Sequence, residues 1–140
     1  MAFYGSGTYS IDSKNRVFIP AKYREDLGNV FYITRSVESC LTIYTEDEWK
    51  LFLERLDRIP NTAGAAAKEY FMSAAQKCTS DGSGRILLDD TLRNHSQVIK
   101  NVVFVGAGRV LNVWAEELWA MREANRDLES IRSLLQQYEL

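Results

Sequence analysis

An acidic residue, three small or polar residues and an arginine recur as a pentapeptide. The first copy is Asp12-Ser13-Lys14-Asn15-Arg16 and the second is Asp81-Gly82-Ser83-Gly84-Arg85. Each runs directly into an apolar stretch, Val17-Phe18-Ile19 and Ile86-Leu87-Leu88. The pattern alone is weak; its weight comes from matched spacing. At an offset of 69 residues Asp12, Arg16, Val17, Ile19 and Arg24 match Asp81, Arg85, Ile86, Leu88 and Arg93. The offset grows to 72 at Asn29-Val30 and Asn101-Val102. It settles at 70, where Leu41, Ile43, Tyr44, Glu46 and Trp49 match Leu111, Val113, Trp114, Glu116 and Trp119. Such drift is what loop insertions produce. A period this long exceeds a solenoid repeat and reads as a duplicated small domain.

Each copy has the residue order of hairpin, short helix, hairpin and helix. Residues 8–11 and 17–19 read as strands around a turn at Ser13-Lys14-Asn15, where Asn tolerates positive φ and Ser and Asp bond the local backbone. Pro20 opens a short helix that Gly28 ends. Residues 30–33 form a strand buried on both faces, 34–40 a loop and 41–44 another strand. Thr45-Glu46-Asp47-Glu48 is a capping box. The helix behind it puts Trp49, Phe52, Leu53 and Leu56 on one stripe, and Pro60 lies past its end. Asn61-Thr62 caps a second helix over 65–72, and 73–79 returns as a strand.

The second copy repeats this plan. Residues 86–88 form a strand, and Asp89 caps a helix through Asn94. Residues 102–105 and 110–114 are strands joined by the Gly106-Ala107-Gly108-Arg109 turn. A helix with Leu118, Trp119 and Met121 follows. A last helix from about Asp127 carries Leu128, Ile131, Leu134, Leu135 and Tyr138 on one face, with Glu129, Arg132 and Gln136 opposite. That face suits packing on its own barrel or on an adjacent subunit. The expected organisation is a first repeat over 1–60, a connecting helix over 61–76, and a second repeat with the C-terminal helix over 77–140. A half with strands this short buries little core alone. The expected fold is therefore α+β, with the two halves interleaved into one β-barrel.

Composition narrows the function. Hydrophobic residues make up 46% of the 140 and aromatic residues 11%, which suits a folded globule. No apolar run approaches the ~20 residues that span a bilayer. The first residues lack the basic and apolar segments of a signal peptide. Cys40 and Cys78 show no metal or redox spacing and read as reduced thiols. A net charge of −2 argues against a protein that coats nucleic acid nonspecifically. The distribution is uneven, however. Between Ser13 and Arg24 stand Lys14, Arg16, Lys22 and Arg24 with no acid, whereas the matching span offsets Arg85 and Arg93 with Asp89 and Asp90. Screening removes contributions beyond about 8 Å, so a local patch outweighs the total.

These residues resemble the MraZ family. The resemblance is carried by the two D-x-x-x-R segments, by Ile19-Pro20-Ala21-Lys22-Tyr23-Arg24 after the first and by Arg85-Ile86-Leu87-Leu88 in the second. Val105-Gly106-Ala107-Gly108, running on to Val113-Trp114 and Trp119, completes it. It covers essentially the whole chain. It implies a duplicated AbrB-like swapped-hairpin barrel with flanking helices and a pseudo-two-fold within one chain. It also implies a ring-shaped homo-oligomer, an octamer or dodecamer, that binds repeated motifs in double-stranded promoter DNA. The family represses transcription near the division and cell-wall gene cluster and is cytoplasmic and nucleoid-associated. The motif arginine is associated with DNA binding, which maps onto Arg16 and, by repetition, Arg85. Asn15 stands where the family commonly has glycine, and it can take the same left-handed backbone.

Spacing alone would make Arg16 and Lys14 a solvated tip with an Asp12–Arg16 ion pair. The resemblance makes them DNA contacts, with arginine on a guanine edge and lysine on phosphate. Asn15 belongs to the same tip. Lys22 and Arg24 on the short helix are phosphate contacts or a plain exposed face. Asp12, Asp81 and Gly84 are structural turn residues. Asp89-Asp90 is a helix cap rather than a metal or acid–base pair, since His95 is the one histidine and no ligand cluster surrounds it. Gly106-x-Gly108 lacks the third glycine and the βαβ unit of a dinucleotide loop and reads as a hairpin turn. The tryptophans are core or subunit-interface residues. The reading is a DNA-binding regulator without enzymatic activity or cofactor. The alternatives are an oligomeric interaction module or antitoxin-like scaffold, and a hydrolase using Asp81, Asp89 and Asp90.

Overall fold

A computed structural model describes residues 2–79 and 84–140. Asp81, with Gly82 and Ser83, lies outside the described residues, so its expected turn role is not addressed.

The elements of the first half are β1 (Ser6–Ser10), β2 (Arg16–Phe18), α1 (Ala21–Leu27), β3 (Val30–Arg35), β4 (Leu41–Thr45), α2 (Glu46–Asp57) and α3 (Asn61–Ala74). Those of the second are β5 (Gln76–Thr79), β6 (Arg85–Leu87), α4 (Asp90–Ser96), β7 (Asn101–Gly106), β8 (Leu111–Ala115), α5 (Glu116–Ala124) and α6 (Leu128–Gln137). The fold is α+β. Six strands form one antiparallel sheet in the order β1-β7-β8-β4-β3-β5, and β2 and β6 form a separate two-stranded ribbon.

The strands pair across the two halves. At the centre of the sheet Thr42 of β4 lies opposite Asn112 of β8, its own counterpart in the repeat. Thr42 Oγ1 donates to Asn112 Oδ1 at 3.0 Å. In the ribbon Val17 lies opposite Ile86, again its counterpart. At the sheet's edges β1 pairs with β7, and β5 pairs with β3.

Two expectations need correction. Among the described residues the sheet does not close into a barrel, because its edge strands β1 and β5 do not pair with each other. The segment after the first D-x-x-x-R turn is not the return strand of a hairpin with β1. β1 gives its backbone groups to β7, and β2 finds its partner in β6. Three-residue strands gain more from a long-range partner that buries Val17 and Ile86 than from a local one.

The core lies between the sheet, the ribbon and helices α1 and α4. It holds Val17, Ile19, Leu27, Ile33, Leu41, Ile43, Leu88, Leu92, Val102, Phe104, Leu111 and Val113, all nearly inaccessible to solvent. On the other side α2 lays Trp49 flat on Tyr32, ring centroids 4.9 Å apart, while Phe52 stacks on Tyr44 at 5.0 Å. Trp49 and Trp114 are buried, and Trp119 is half-buried beside Trp114.

Local signals hold where chemistry is local. Thr45 accepts from the Glu48 N–H at 3.2 Å, and Asp89 accepts from the Leu92 N–H at 3.0 Å. Gly28 ends α1 at φ 76°. The Gly106–Arg109 segment is the expected turn between β7 and β8, closed by Ala107 N–H donating to Val110 O at 3.0 Å. Gly106 also lets the N-terminal segment approach, since a Cβ there would lie 2.3 Å from Tyr4 N.

The connecting helix is longer than its alanine run suggested and extends to Ala74, so β5 starts only at Gln76. Its last turn is held from outside. Thr34 Oγ1 donates to Phe71 O at 2.6 Å, and Arg35 Nε donates to Tyr70 O at 3.0 Å. Thr34 and Arg35 belong to β3 rather than to the loop, paired with Thr42 and Leu41 of β4. No side chain caps the start of α3, and Asn61 is its first residue. Every residue of α6 is exposed, so its apolar face is not buried within the chain.

Candidate nucleic-acid interface

The first D-x-x-x-R segment is a turn organised by its aspartate. Asp12 Oδ1 accepts from the backbone N–H groups of Lys14 and Arg16, both at 2.9 Å. Its second oxygen accepts from Arg16 Nε at 3.0 Å. Asn15 N–H donates to Asp12 O at 3.0 Å, and Asp12 N–H donates to Arg16 O at 2.8 Å. Asn15 sits at φ 62°, the left-handed conformation its short polar side chain tolerates. The bond from the Arg16 amide, above all, lowers the Asp12 carboxyl below its ordinary 3.8, and the Lys14 amide and Arg16 side chain add to it against partial desolvation. Asp12 is thus an ionised turn brace. It holds Arg16 by Nε at one edge of the guanidinium.

The ribbon then sets what faces outward. Side chains alternate across a strand. Val17 and Ile86 point into the core, at 1% and 5% exposure. Arg16 and Phe18 of β2 and Arg85 and Leu87 of β6 therefore share the opposite face, where Phe18 is 44% and Leu87 51% exposed. Arg16 lies opposite Leu87, and Phe18 opposite Arg85. Both ends of the ribbon are tied to the turns, by Leu88 N–H donating to Asn15 O and Ile19 N–H donating to Gly84 O, each at 2.9 Å.

Helix α1 adds a third arginine. Arg24 Nε donates to Ile19 O at 2.7 Å, and its repeat counterpart Arg93 donates to Leu88 O at 2.9 Å. The two then diverge. Arg93 forms an ion pair with Asp90, whereas Arg24 has no ion-pair partner among the described residues. Arg24 lies beside Gly84, which takes φ +67°, and an added Cβ there would stand 2.6 Å from Arg24 Cζ. The structure therefore brings Arg16, Arg24 and Arg85 to one side of the molecule, around the ribbon. Lys14 is exposed at the turn tip. Lys22, also exposed, instead lies over the Tyr23 ring at 4.9 Å and near Gly5.

Sequence reasoning missed Phe18 and Leu87. The signal was present in the alternation Arg16-Val17-Phe18-Ile19: if valine and isoleucine face the core, arginine and phenylalanine face out. His95 is half-buried, with Nε2 2.7 Å from Glu38 O. No group of three metal-ligating side chains is found among the described residues. A groove of about 430 Å³ is lined by Asp26, Glu46, Asp47, Glu48 and Arg109 and includes none of Arg16, Arg24 and Arg85. No described helix is long and apolar enough to cross a membrane.

Fold and surface together define a two-part α+β chain whose cross-paired ribbon presents arginines from both copies of one motif. The family model described as "MraZ protein, putative antitoxin-like" matches two successive segments, residues 2–69 and 71–134. The chain is 38% identical over 126 residues to the transcriptional regulator MraZ of Caldanaerobacter subterraneus subsp. tengcongensis, covering 89% of this chain and 88% of that protein. It is 38% identical over 119 residues to that of Carboxydothermus hydrogenoformans, covering 84% and 83%. With that of Clostridium tetani it shares 35% identity over 132 residues, covering 92% and 93%. The chain belongs to the MraZ family.

Proposed function

We propose that this protein is a DNA-binding transcriptional regulator that reads double-stranded DNA with the β2–β6 ribbon and its two turns. The observation that carries the reading is the pairing of β2 with β6, which puts Arg16 and Arg85 on one outward face of a two-stranded ribbon. A ribbon of this kind fits the DNA major groove. Arg16, braced by Asp12, supplies a guanidinium to a base edge. Lys14, Arg24 and Arg85 supply charge for phosphates, while Asn15 and Gly84 shape the turns. Lys22 joins the phosphate contacts at the margin. The names of the relatives support transcriptional regulation as the setting.

The finer reading is a tandem duplication of an AbrB-like swapped-hairpin unit, with its first repeat over 1–60, a linking helix over 61–76 and its second repeat over 77–140. Counterpart residues facing each other at Thr42–Asn112 and Val17–Ile86 support a pseudo-two-fold. One small ribbon binds weakly. Assembly into a ring, an octamer or dodecamer, multiplies it, and repeated promoter motifs near the division and cell-wall cluster then bind through effective concentration. The exposed apolar face of α6 supports self-association. Repression in the cytoplasm, on the nucleoid, and the lack of any enzymatic step follow from this reading. The antitoxin-like description of the family and the same α6 face favour a second reading, a protein-interaction module.

Fluorescence anisotropy decides between them. Wild type and Arg16→Ala are titrated onto the DNA upstream of the protein's own gene and onto scrambled DNA, at two salt concentrations. The proposal requires selective binding that falls steeply with salt and is lost in the variant. Equal binding to both DNAs, unaffected by the variant, would move the interaction module to first place.

A further inference from the structure

Phe18 presents an aromatic ring to solvent that the core does not require, since Val17 and Ile19 already fill the buried side of that segment. Two cations lie over the ring. Arg85 Cζ is 4.4 Å from its centroid and Arg24 Cζ is 6.0 Å away. They come from opposite halves of the chain and, with Gly84 and Thr79, border one small hollow. Gathering two like charges costs energy unless something offsets it. The ring's negative face offsets part of it, and a phosphate oxygen within reach of both guanidiniums would accept a charge-assisted hydrogen bond from each.

The other end of the ribbon is built differently. There the counterpart of Phe18 is Leu87, which has no ring, and the counterpart of Arg24 is Arg93, already paired with Asp90. The pseudo-symmetric ribbon is thus chemically one-sided. Arg24 is fixed by its bond to Ile19 O independently of the ring. Arg85 is the partner whose placement the ring most directly affects, being the nearer of the two. A long arginine side chain loses rotamer freedom on binding, and a stacked one has already lost much of it.

We propose that Phe18 is a positioning residue: its ring holds Arg85 beside Arg24 as a clamp for one backbone phosphate of bound DNA. This rests on the DNA-binding reading above.

The test is a double-mutant cycle on the protein's own upstream duplex, with anisotropy read over a salt series. Phe18→Leu keeps apolar bulk and removes the ring; it should weaken binding about three- to fivefold. Phe18→Tyr keeps the ring and should bind like wild type. Arg85→Ala should lower the slope of log affinity against log salt by about one unit. In the Arg85→Ala background, Phe18→Leu should change nothing further. Additive losses would overturn the proposal, because Phe18 would then act without Arg85. An unchanged salt slope in Arg85→Ala would overturn the phosphate assignment. A change of assembly mass in Phe18→Leu by light scattering would make the ring a subunit contact instead. If wild type binds and Arg16→Ala does not, yet Phe18→Leu is silent, the clamp alone fails. If wild type binds no DNA, the functional reading fails and the clamp with it.

Discussion

Replacing Gly84 separates two physical effects that meet at one residue. Gly84 sits at φ +67°, and a Cβ there would stand 2.6 Å from Arg24 Cζ. An alanine at positive φ costs roughly 1–2 kcal/mol, and the smaller entropy of its unfolded chain returns about 0.4–1 kcal/mol. The net loss is about 1 kcal/mol. With an unfolding entropy of ~2.1 cal/mol/K per residue, that lowers Tm by about 3–4 °C. The contact with Arg24 is a separate matter. A guanidinium at the end of a flexible chain can move aside by giving up its bond to Ile19 O, a cost that every side chain placed at Gly84 shares. The move displaces the cation from the ribbon. Loss of one charge-assisted contact, ~1.5 kcal/mol, weakens DNA binding about tenfold.

The first repeat supplies the discriminating variant. Asn15, the counterpart of Gly84, holds φ 62° with an asparagine. Gly84→Asn should therefore keep Tm closer to wild type than Gly84→Ala while losing as much affinity, since both carry the Cβ that meets Arg24. Gly28→Ala is the converse control, because Gly28 has φ +76° and open space around it. It should lose stability and keep affinity. Thermal unfolding by circular dichroism and the anisotropy titration read the two axes. The reasoning about strain is refuted if Gly84→Ala and Gly84→Asn melt together. The reasoning about Arg24 is refuted if Gly28→Ala loses as much affinity as they do.

Three further outcomes are expected. Thr45→Ala removes the cap on the Glu48 N–H and should cost about 1 kcal/mol, seen as a Tm about 3 °C lower. Burial pushes both Cys40 and Cys78 from 9.0 up to about 11, so neither should react with a disulfide reagent at pH 8 until the chain unfolds. The unfolded thiols ionise first, so stability should be flat below pH 9 and fall as pH rises from there towards 11, as urea melts would show. Deleting residues 127–140 removes an α6 whose residues are all exposed in the single chain; circular dichroism should show that the rest still folds, and light scattering should show loss of assembly.

The sequence by itself determined the family, the matched spacing of its two D-x-x-x-R segments and most local punctuation. Asp12, Thr45, Asp89, Gly28 and the Gly106–Arg109 turn act on backbone groups within a few residues, so their chemistry is written in adjacent letters. The role of Asp12 as a brace for Arg16 was legible for that reason. Only the tertiary structure decided which strand meets which. The alternation of apolar residues says which side of β2 is buried, but a three-residue strand can give its hydrogen bonds to any compatible edge. Here that edge is β6, some 69 residues away in sequence, and among the described residues the choice leaves the sheet open rather than closed. The same long-range pairing sets Arg85 on the ring of Phe18 and brings Arg24 against Gly84. Those contacts join residues of opposite halves, and no period or motif encodes them. They exist because burying Val17 against Ile86 fixes the ribbon, and the outward side chains must follow.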